Sequence, residues 1–296
     1  MLKLSIAITT YNHEQFISQA LDSVYKQKLD FDFEIVIGND NSTDKTADII
    51  RKFQKQYSNI KHIEYSENVG YVVNFDKTIK ACKGEYVAIF DGDDIMLPEK
   101  LKQQVDFLDN NPDYVMSTHK ARAFDSLTNR TIRFIIPPYK KDYYTIEDLI
   151  KYGSIFANST KVFRKKAFPE EGIDYNIKKI ADWYITVLIA SKGKIHYIED
   201  NLLDYRVHSN SIMKKIDGNS HFEDVVFILK KFSELFSKKY DYLFNRQFAY
   251  AYLIKGIYLI QIKNKKEARK SFVRSIKYCP SYSISAYARL ILSFVF

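Results

Sequence analysis

The stretch Gly84-Glu85-Tyr86-Val87-Ala88-Ile89-Phe90-Asp91-Gly92-Asp93-Asp94 constrains this chain more than any other. Residues 86–90 are a short apolar run between two glycines and read as a buried strand. Three carboxylates within four residues follow at its end. Packed there they repel one another and need a counter-charge. A hard divalent cation, Mg²⁺ or Mn²⁺, is the usual one, its other positions shared between water and a substrate phosphate. The plainer reading of Asp-x-Asp alone is an acidic turn in which Asp94 caps the next helix.

The flanking sequence supplies context. Residues 4–8 form a first strand, with Thr9-Thr10-Tyr11-Asn12-His13 as the loop at its carboxyl end. Asn12 is placed to cap a helix whose apolar face is Phe16, Ile17, Ala20, Leu21, Val24 and Tyr25. Residues 33–37 make a second strand, ending in Gly38-Asn39-Asp40-Asn41-Ser42-Thr43-Asp44, where Thr43 reads as the N-cap of a helix through Ala47, Ile50, Phe53 and Tyr57. Residues 60–65 make a third strand, and a helix through Phe75, Ile79 and Cys82 leads to the 86–90 strand. Four such alternations predict an α/β fold: a mostly parallel sheet with helices on both faces. Ligands of such sheets lie at the carboxyl ends of the strands, so the loops at 9–13, 39–44 and 91–94 are expected to share one crevice. Beyond it the pattern predicts a helix over 98–108, a helix over 184–190 with Asp182 at its start, and an extended segment over 202–208.

Several devices are excluded. The nine glycines never occur two apart, and there is no Gly-Lys-Ser/Thr, so neither a dinucleotide fingerprint nor a P-loop is present. Any phosphate is therefore held by metal and side chains. Two cysteines make neither a disulfide framework nor a metal cluster and suit a reducing cytoplasm. The N-terminus enters a strand pattern directly, without a signal peptide, and no apolar run approaches the ~20 residues that span a bilayer. Charge is uneven: residues 1–218 carry 31 basic and 31 acidic side chains, residues 219–296 carry 14 and 5, so the whole excess of +9 lies on the last 78 residues. That segment reads as a helical appendage with one tetratricopeptide-type hairpin across 247–279. Its basic balance suits an anionic membrane surface or polymer. The apolar end, 284–296, either lies in a membrane interface or packs on the preceding helices. No base-reading module accompanies the charge, so nucleic acid is not expected as a partner.

Thr9-Thr10-Tyr11-Asn12, Asp40-Asn41-Ser42-Thr43-Asp44, Gly84-Glu85-Tyr86, Asp91-Gly92-Asp93-Asp94, Ala181-Asp182-Trp183 and Tyr205-Arg206-Val207-His208 occur in order, and residues 1–215 thereby resemble the family 2 glycosyltransferases. The resemblance implies a GT-A (Rossmann-like) domain over 1–218, followed by the helical tail over 219–296. It implies a nucleotide-sugar donor, UDP-linked by analogy, a glycan or lipid-linked acceptor, and Mn²⁺ or Mg²⁺ as cofactor. By similarity Asp93 ligates the metal, with Asp91 on the ribose or a metal-bound water and His208 as a further ligand. Asp40 accepts from the base, Thr9, Tyr11 and Asn12 line its pocket, and Gly92 and Arg206 complete the donor site. Asp182 is the general base of an inverting transfer. Where many relatives have a double acid before these positions, this chain has Asn39-Asp40 and Ala181-Asp182. Competing readings remain for Asp40 (a loop-capping turn), Asp182 (a helix N-cap), Arg206 (a partner for an acid) and Trp183 (acceptor stacking or core). Gln-x-x-Arg-Trp and membrane helices, marks of processive polymer synthases, are absent, so one sugar per encounter is expected. A sugar-1-phosphate nucleotidylyltransferase would want a glycine-rich loop after the first strand, and a non-catalytic interaction module would not need Asp91, Asp93 and Asp182.

Overall fold

A computed structural model describes residues 2–209, 218–236, 238–281, 284 and 287–290. The chain divides into two compact units, Met1–Ile146 with Ser154–Tyr175 and Ala181–Ser211, and Glu147–Gly153 with Asn176–Ile180 and Ile212–Phe296. The sequence places the break at 218; the second unit also takes up two short earlier stretches.

In the first unit, β1 (Leu4–Thr10), α1 (Ile17–Tyr25), β2 (Phe33–Asn39), α2 (Thr46–Gln56), β3 (Ile60–Glu64), α3 (Tyr71–Ala81) and β4 (Tyr86–Asp91) follow the sequence pattern closely. Every residue of β1 is buried. Leu4, Ile6 and Ile8 point one way, into a core with Leu21 and Val24 of α1; burying each such side chain contributes about 1.5–3 kcal/mol. The opposite face takes α3. Gly38 lies against it, its carbonyl accepting from Asn74 Nδ2 at 2.9 Å, and a Cβ there would sit 2.0 Å from Asn74 Oδ1. Strands β3, β2, β1 and β4 lie side by side in that order and all parallel. The order turns back between β1 and β4, which opens the crevice at their carboxyl ends.

The second half of the sheet is mixed. It is made by β5 (Ile95–Met96), β6 (Tyr114–Asp125), β7 (Thr131–Ile135), β8 (Val162–Arg164) and β9 (Lys194–Val207); the helices α4 (Lys100–Asn110) and α6 (Ala181–Ala190) fall between them in the chain, and all but the first residue of α5 (Ile146–Tyr152) belongs to the second unit. The three-residue β8 wedges between β4 and β6, antiparallel to both. β6 and β9 run parallel, while β5 pairs antiparallel with β9 and β7 with β6. Leu101, Val105 and Leu108 of α4 are fully buried, as their spacing predicts.

The second unit holds α7 (Gly218–Leu235), α8 (Asp241–Gln261) and α9 (Lys265–Tyr278). The Asp224 carboxylate accepts backbone N–H groups of Lys178, Lys179 and Ile180, at 2.7–3.2 Å. α8 and α9 form the expected hairpin. Asn264 caps α9 by accepting from Glu267 N–H at 3.3 Å, and Ala268 and Phe272 are fully buried. A Cβ on Gly256 would lie 2.3 Å from the Phe272 ring, so only glycine permits this approach of helix and ring. No helix among the described residues is long and apolar enough to cross a membrane. Most of the apolar end, including residues 285–286 and 291–296, lies outside the described residues, as do 210–217, just before the boundary that the sequence sets at 218.

Candidate active site

The carboxyl ends of β1, β2 and β4 bring the three polar loops together. Gly92 N–H donates to the Thr9 carbonyl at 2.9 Å and Asp40 N–H to that of Thr10 at 3.0 Å. A Cβ on Gly92 would come within 2.9 Å of Thr10 Cβ and Oγ1, so the acidic loop can pass β1 only with glycine there. Asn12 sits at φ 54°. Its Oδ1 accepts Thr43 N–H at 2.8 Å and its own N–H donates to Ser42 Oγ at 2.9 Å. Neither residue caps a helix as the sequence suggests. Both are spent stitching one loop to the other, and Asp44 Oδ1 takes Thr46 N–H at the start of α2 instead. Tyr11 stands at the rim, 44% exposed.

Asp40 is buried, and its two oxygens accept Val69 N–H at 2.7 Å and Gly70 N–H at 3.0 Å, at the head of α3. Burial lifts this carboxyl above its usual range although the two backbone bonds oppose the shift. The capping reading describes these contacts, across loops rather than within one; each oxygen keeps a second lone pair for a ligand. Arg206 is likewise occupied. Its N–H donates to Asp94 Oδ1 (2.9 Å), its Nε to the Asp93 carbonyl (2.7 Å) and its Nη2 to Gln19 Oε1 (2.6 Å). The guanidinium braces the acidic loop through the Asp93 carbonyl.

The three carboxylates of that loop differ in state. Burial, then the nearby Asp93 charge, pushes Asp91 up to about 7, against hydrogen bonds from Asn158 and Thr9. Burial and both neighbouring acids push Asp94 well above its ordinary value, while Ser159 Oγ donates to it at 2.6 Å. Asp93 goes the other way: burial raises its pKa, but its bond to His208 and its nearness to the His13 and His208 rings outweigh that and lower it. Of the three, Asp93 is the one whose surroundings favour the charged form.

Around Asp93 a donor set assembles. His208 Nε2 is 2.9 Å from Asp93 Oδ2 and His13 Nε2 is 3.9 Å from it. One ligand atom from each of the three residues lies within 4.8 Å of the others. Burial lowers the His13 pKa and so favours the neutral, metal-binding form. Its Nδ1 is buried and bonds nothing among the described residues. A carboxylate with two imidazoles fits a divalent ion, and the nitrogens suit Mn²⁺ better than Mg²⁺, which prefers oxygen. His13, to which the sequence assigns no role, joins this set. Asp91, expected there, does not: its oxygens accept from Thr9 Oγ1 and Asn158 Nδ2, both at 3.2 Å.

Asp182 lies in the first turn of α6, and its Oδ2 accepts from Ser154 Oγ at 3.0 Å. It caps no helix. Trp183 is buried, 5% exposed, in keeping with the core reading. Asn158, Ser159 and Lys161, which sequence reasoning passes over, come from the turn before β8. Ser159 Oγ accepts Asp91 N–H at 3.0 Å, and Lys161 Nζ is 3.9 Å from Asp182 Oδ2. Their one sequence signal is a run of small polar residues, Asn158-Ser159-Thr160, without periodicity.

A sheet reversing beside β1, with carboxylates at its carboxyl edge, defines an α/β domain with a crevice at its switch point. The family model described as glycosyl transferase family 2 matches residues 5–171. An uncharacterised protein of Mycobacterium tuberculosis is 31% identical over 211 residues, 71% of this chain and 60% of that protein, so the chain spans about three fifths of that relative. An uncharacterised glycosyltransferase of Methanocaldococcus jannaschii is 31% identical over 213 residues, 69% of this chain and 70% of that one. The chain belongs to glycosyl transferase family 2. Residues 1–349 of S. aureus TarS, in complex with UDP, match with a TM-score of 0.72 at 20% identity, over 99% of this chain and 89% of that one. The mannosyltransferase PcManGT of Pyrobaculum calidifontis, in complex with GDP-Man and Mn²⁺, matches at 0.61 and 15%, over 98% and 87%. At these identities the likeness is one of fold, and the fold is GT-A.

Proposed function

We propose that this chain is a metal-dependent, inverting glycosyltransferase that moves one sugar from a nucleotide-sugar donor, UDP-linked, to a hydroxyl of a glycan or lipid-linked acceptor. The observation that carries the reading is the Asp93–His13–His208 donor set in one crevice with Thr9, Asp40 and Asp91. Tyr11 and Asp40 would flank the base, and Asp91 would reach the ribose. Asp93, His13 and His208 would hold Mn²⁺, which when bound acts as a Lewis acid toward the leaving diphosphate. Asp182, fixed by Ser154, takes the acceptor proton as the new C–O bond forms; the bond to the diphosphate breaks and the diphosphate leaves with its electron pair. Thermal-shift screening of UDP-glucose, UDP-N-acetylglucosamine and GDP-mannose, each with and without Mn²⁺, tests this. For one donor the joint shift should exceed the sum of the separate ones, and at a hundredfold excess over Kd the stabilisation is about 2.7 kcal/mol. Additive shifts for every donor would reject the metal–nucleotide site.

We also propose that the protein works at the inner face of the cytoplasmic membrane, held by its second unit. Arg269, Lys270, Arg274 and Lys277 of α9 line one groove with Val273 and Leu290. Each basic group near an anionic surface contributes about 1 kcal/mol. Replacing the four by glutamine should abolish cosedimentation with phosphatidylglycerol vesicles; undiminished binding would rule this surface out.

A further inference from the structure

Lys161 is 1% exposed, and its ammonium hydrogen-bonds nothing among the described residues. Its position is set tightly. The turn Asn158–Thr160 precedes it, its carbonyl accepts Ile89 N–H of β4 at 3.0 Å, and β8 begins at the next residue. The side chain is thereby directed toward Asp182, with Nζ at 3.9 Å from Oδ2. A buried charge without hydrogen bonds costs several kcal/mol and persists where other charges compensate it. Burial lowers the Lys161 pKa, while the charges of Asp182 and Asp91 raise it again. Around Asp182 stand Lys161, Asp91, Tyr71 and Tyr205. Of these only Lys161 carries positive charge. Asp182 itself is 22% exposed at its side chain, so the lysine lies behind it and out of a substrate's reach.

We propose that Lys161 is a positioning residue for Asp182: sealed behind that carboxylate, it is the counter-charge that holds Oδ2 back, leaving Oδ1 for the acceptor hydroxyl. This rests on the transferase reading for its role in turnover, though the electrostatic coupling does not. The 3.9 Å gap is wider than a hydrogen bond, as such contacts often are before substrate binds. Removing Lys161 takes away the one positive charge among these neighbours of Asp182 and leaves the Asp91 carboxylate as its charged companion.

The test compares full-length protein with Lys161→Met, and with Lys161→Gln should the first variant not fold. The γ-carboxyl ¹³C resonance of Asp182, assigned by its loss in Asp182→Asn, is followed against pH. Its titration midpoint should move upward by about one pH unit or more when the neighbouring opposite charge is removed. With a turning-over donor, the acid limb of kcat should move upward in step and the Kd for UDP should stay within about twofold. Lys161→Arg should return the limb toward that of the parent. A midpoint unchanged in the neutral variant overturns the proposal, and so does a loss of kcat equal at every pH, which a purely structural lysine would give. Absence of nucleotide-sugar turnover in the parent protein, with the resonance still shifting, would instead count against the transferase reading alone.

Discussion

Asp93→Ala should lose Mn²⁺-dependent nucleotide binding, with kcat falling by about 10³-fold or more, because metal stabilisation of a leaving diphosphate supplies several kcal/mol. The physical reason lies in the unequal states of the three acids. Burial and the Asp93 charge drive Asp91 and Asp94 toward their protonated forms, whereas the two histidines keep Asp93 ionised. Removing Asp93 removes the one firmly anionic ligand. It also relieves repulsion on its neighbours, and Arg206 keeps its hold on the loop through the residue-93 carbonyl. The fold should therefore survive, and loss of function would not be loss of structure. Titration calorimetry with Mn²⁺, then with UDP in the presence of Mn²⁺, measures this directly. A variant that bound both as tightly as the parent would remove Asp93 from the metal site.

Asp182→Asn should reduce kcat by about 10²–10⁴-fold, the span that a positioned general base contributes, while the donor Kd stays within about twofold. Asparagine keeps the shape and can still accept from Ser154 Oγ, but it cannot take a proton. Little stability should be lost beyond the favourable placing of an acid in the first turn of α6, worth about 0.5 kcal/mol. Pre-steady-state turnover with saturating donor separates the two effects. An unchanged kcat with a raised donor KM would make Asp182 a donor-binding group instead.

The parallel half of the sheet was readable because each of its strands is a short apolar run and each of its helices an apolar stripe. β8 was not: three residues carry no periodicity, and its pairing with β4 and β6 depends on residues far away in sequence. The caps misled for a related reason. Asn12 and Thr43 have the residue types of N-caps, yet their polar groups satisfy each other across 31 residues, which no local rule detects. The acids of the crevice stood out as a cluster, whereas His13, Ser154, Asn158 and Lys161 each stand alone in sequence and acquire meaning only from what lies beside them. Asp91 illustrates the converse. Its place in the motif is plain in the sequence, whereas its contacts with Thr9 and Asn158, 82 and 67 residues away, are not.

The seam between β4 and β8 has a consequence for how such a protein can change. On one side are Thr9, Tyr11, Asp40 and Asp91, which would read the nucleotide; on the other are Ser154, Lys161 and Asp182, which would activate the acceptor. Few residues belong to both groups, and the two are encoded in separate stretches of the gene. A lineage could thus retain its currency of activated sugar while acquiring new recipients for it, by exchanging only the stretch that follows the acidic loop.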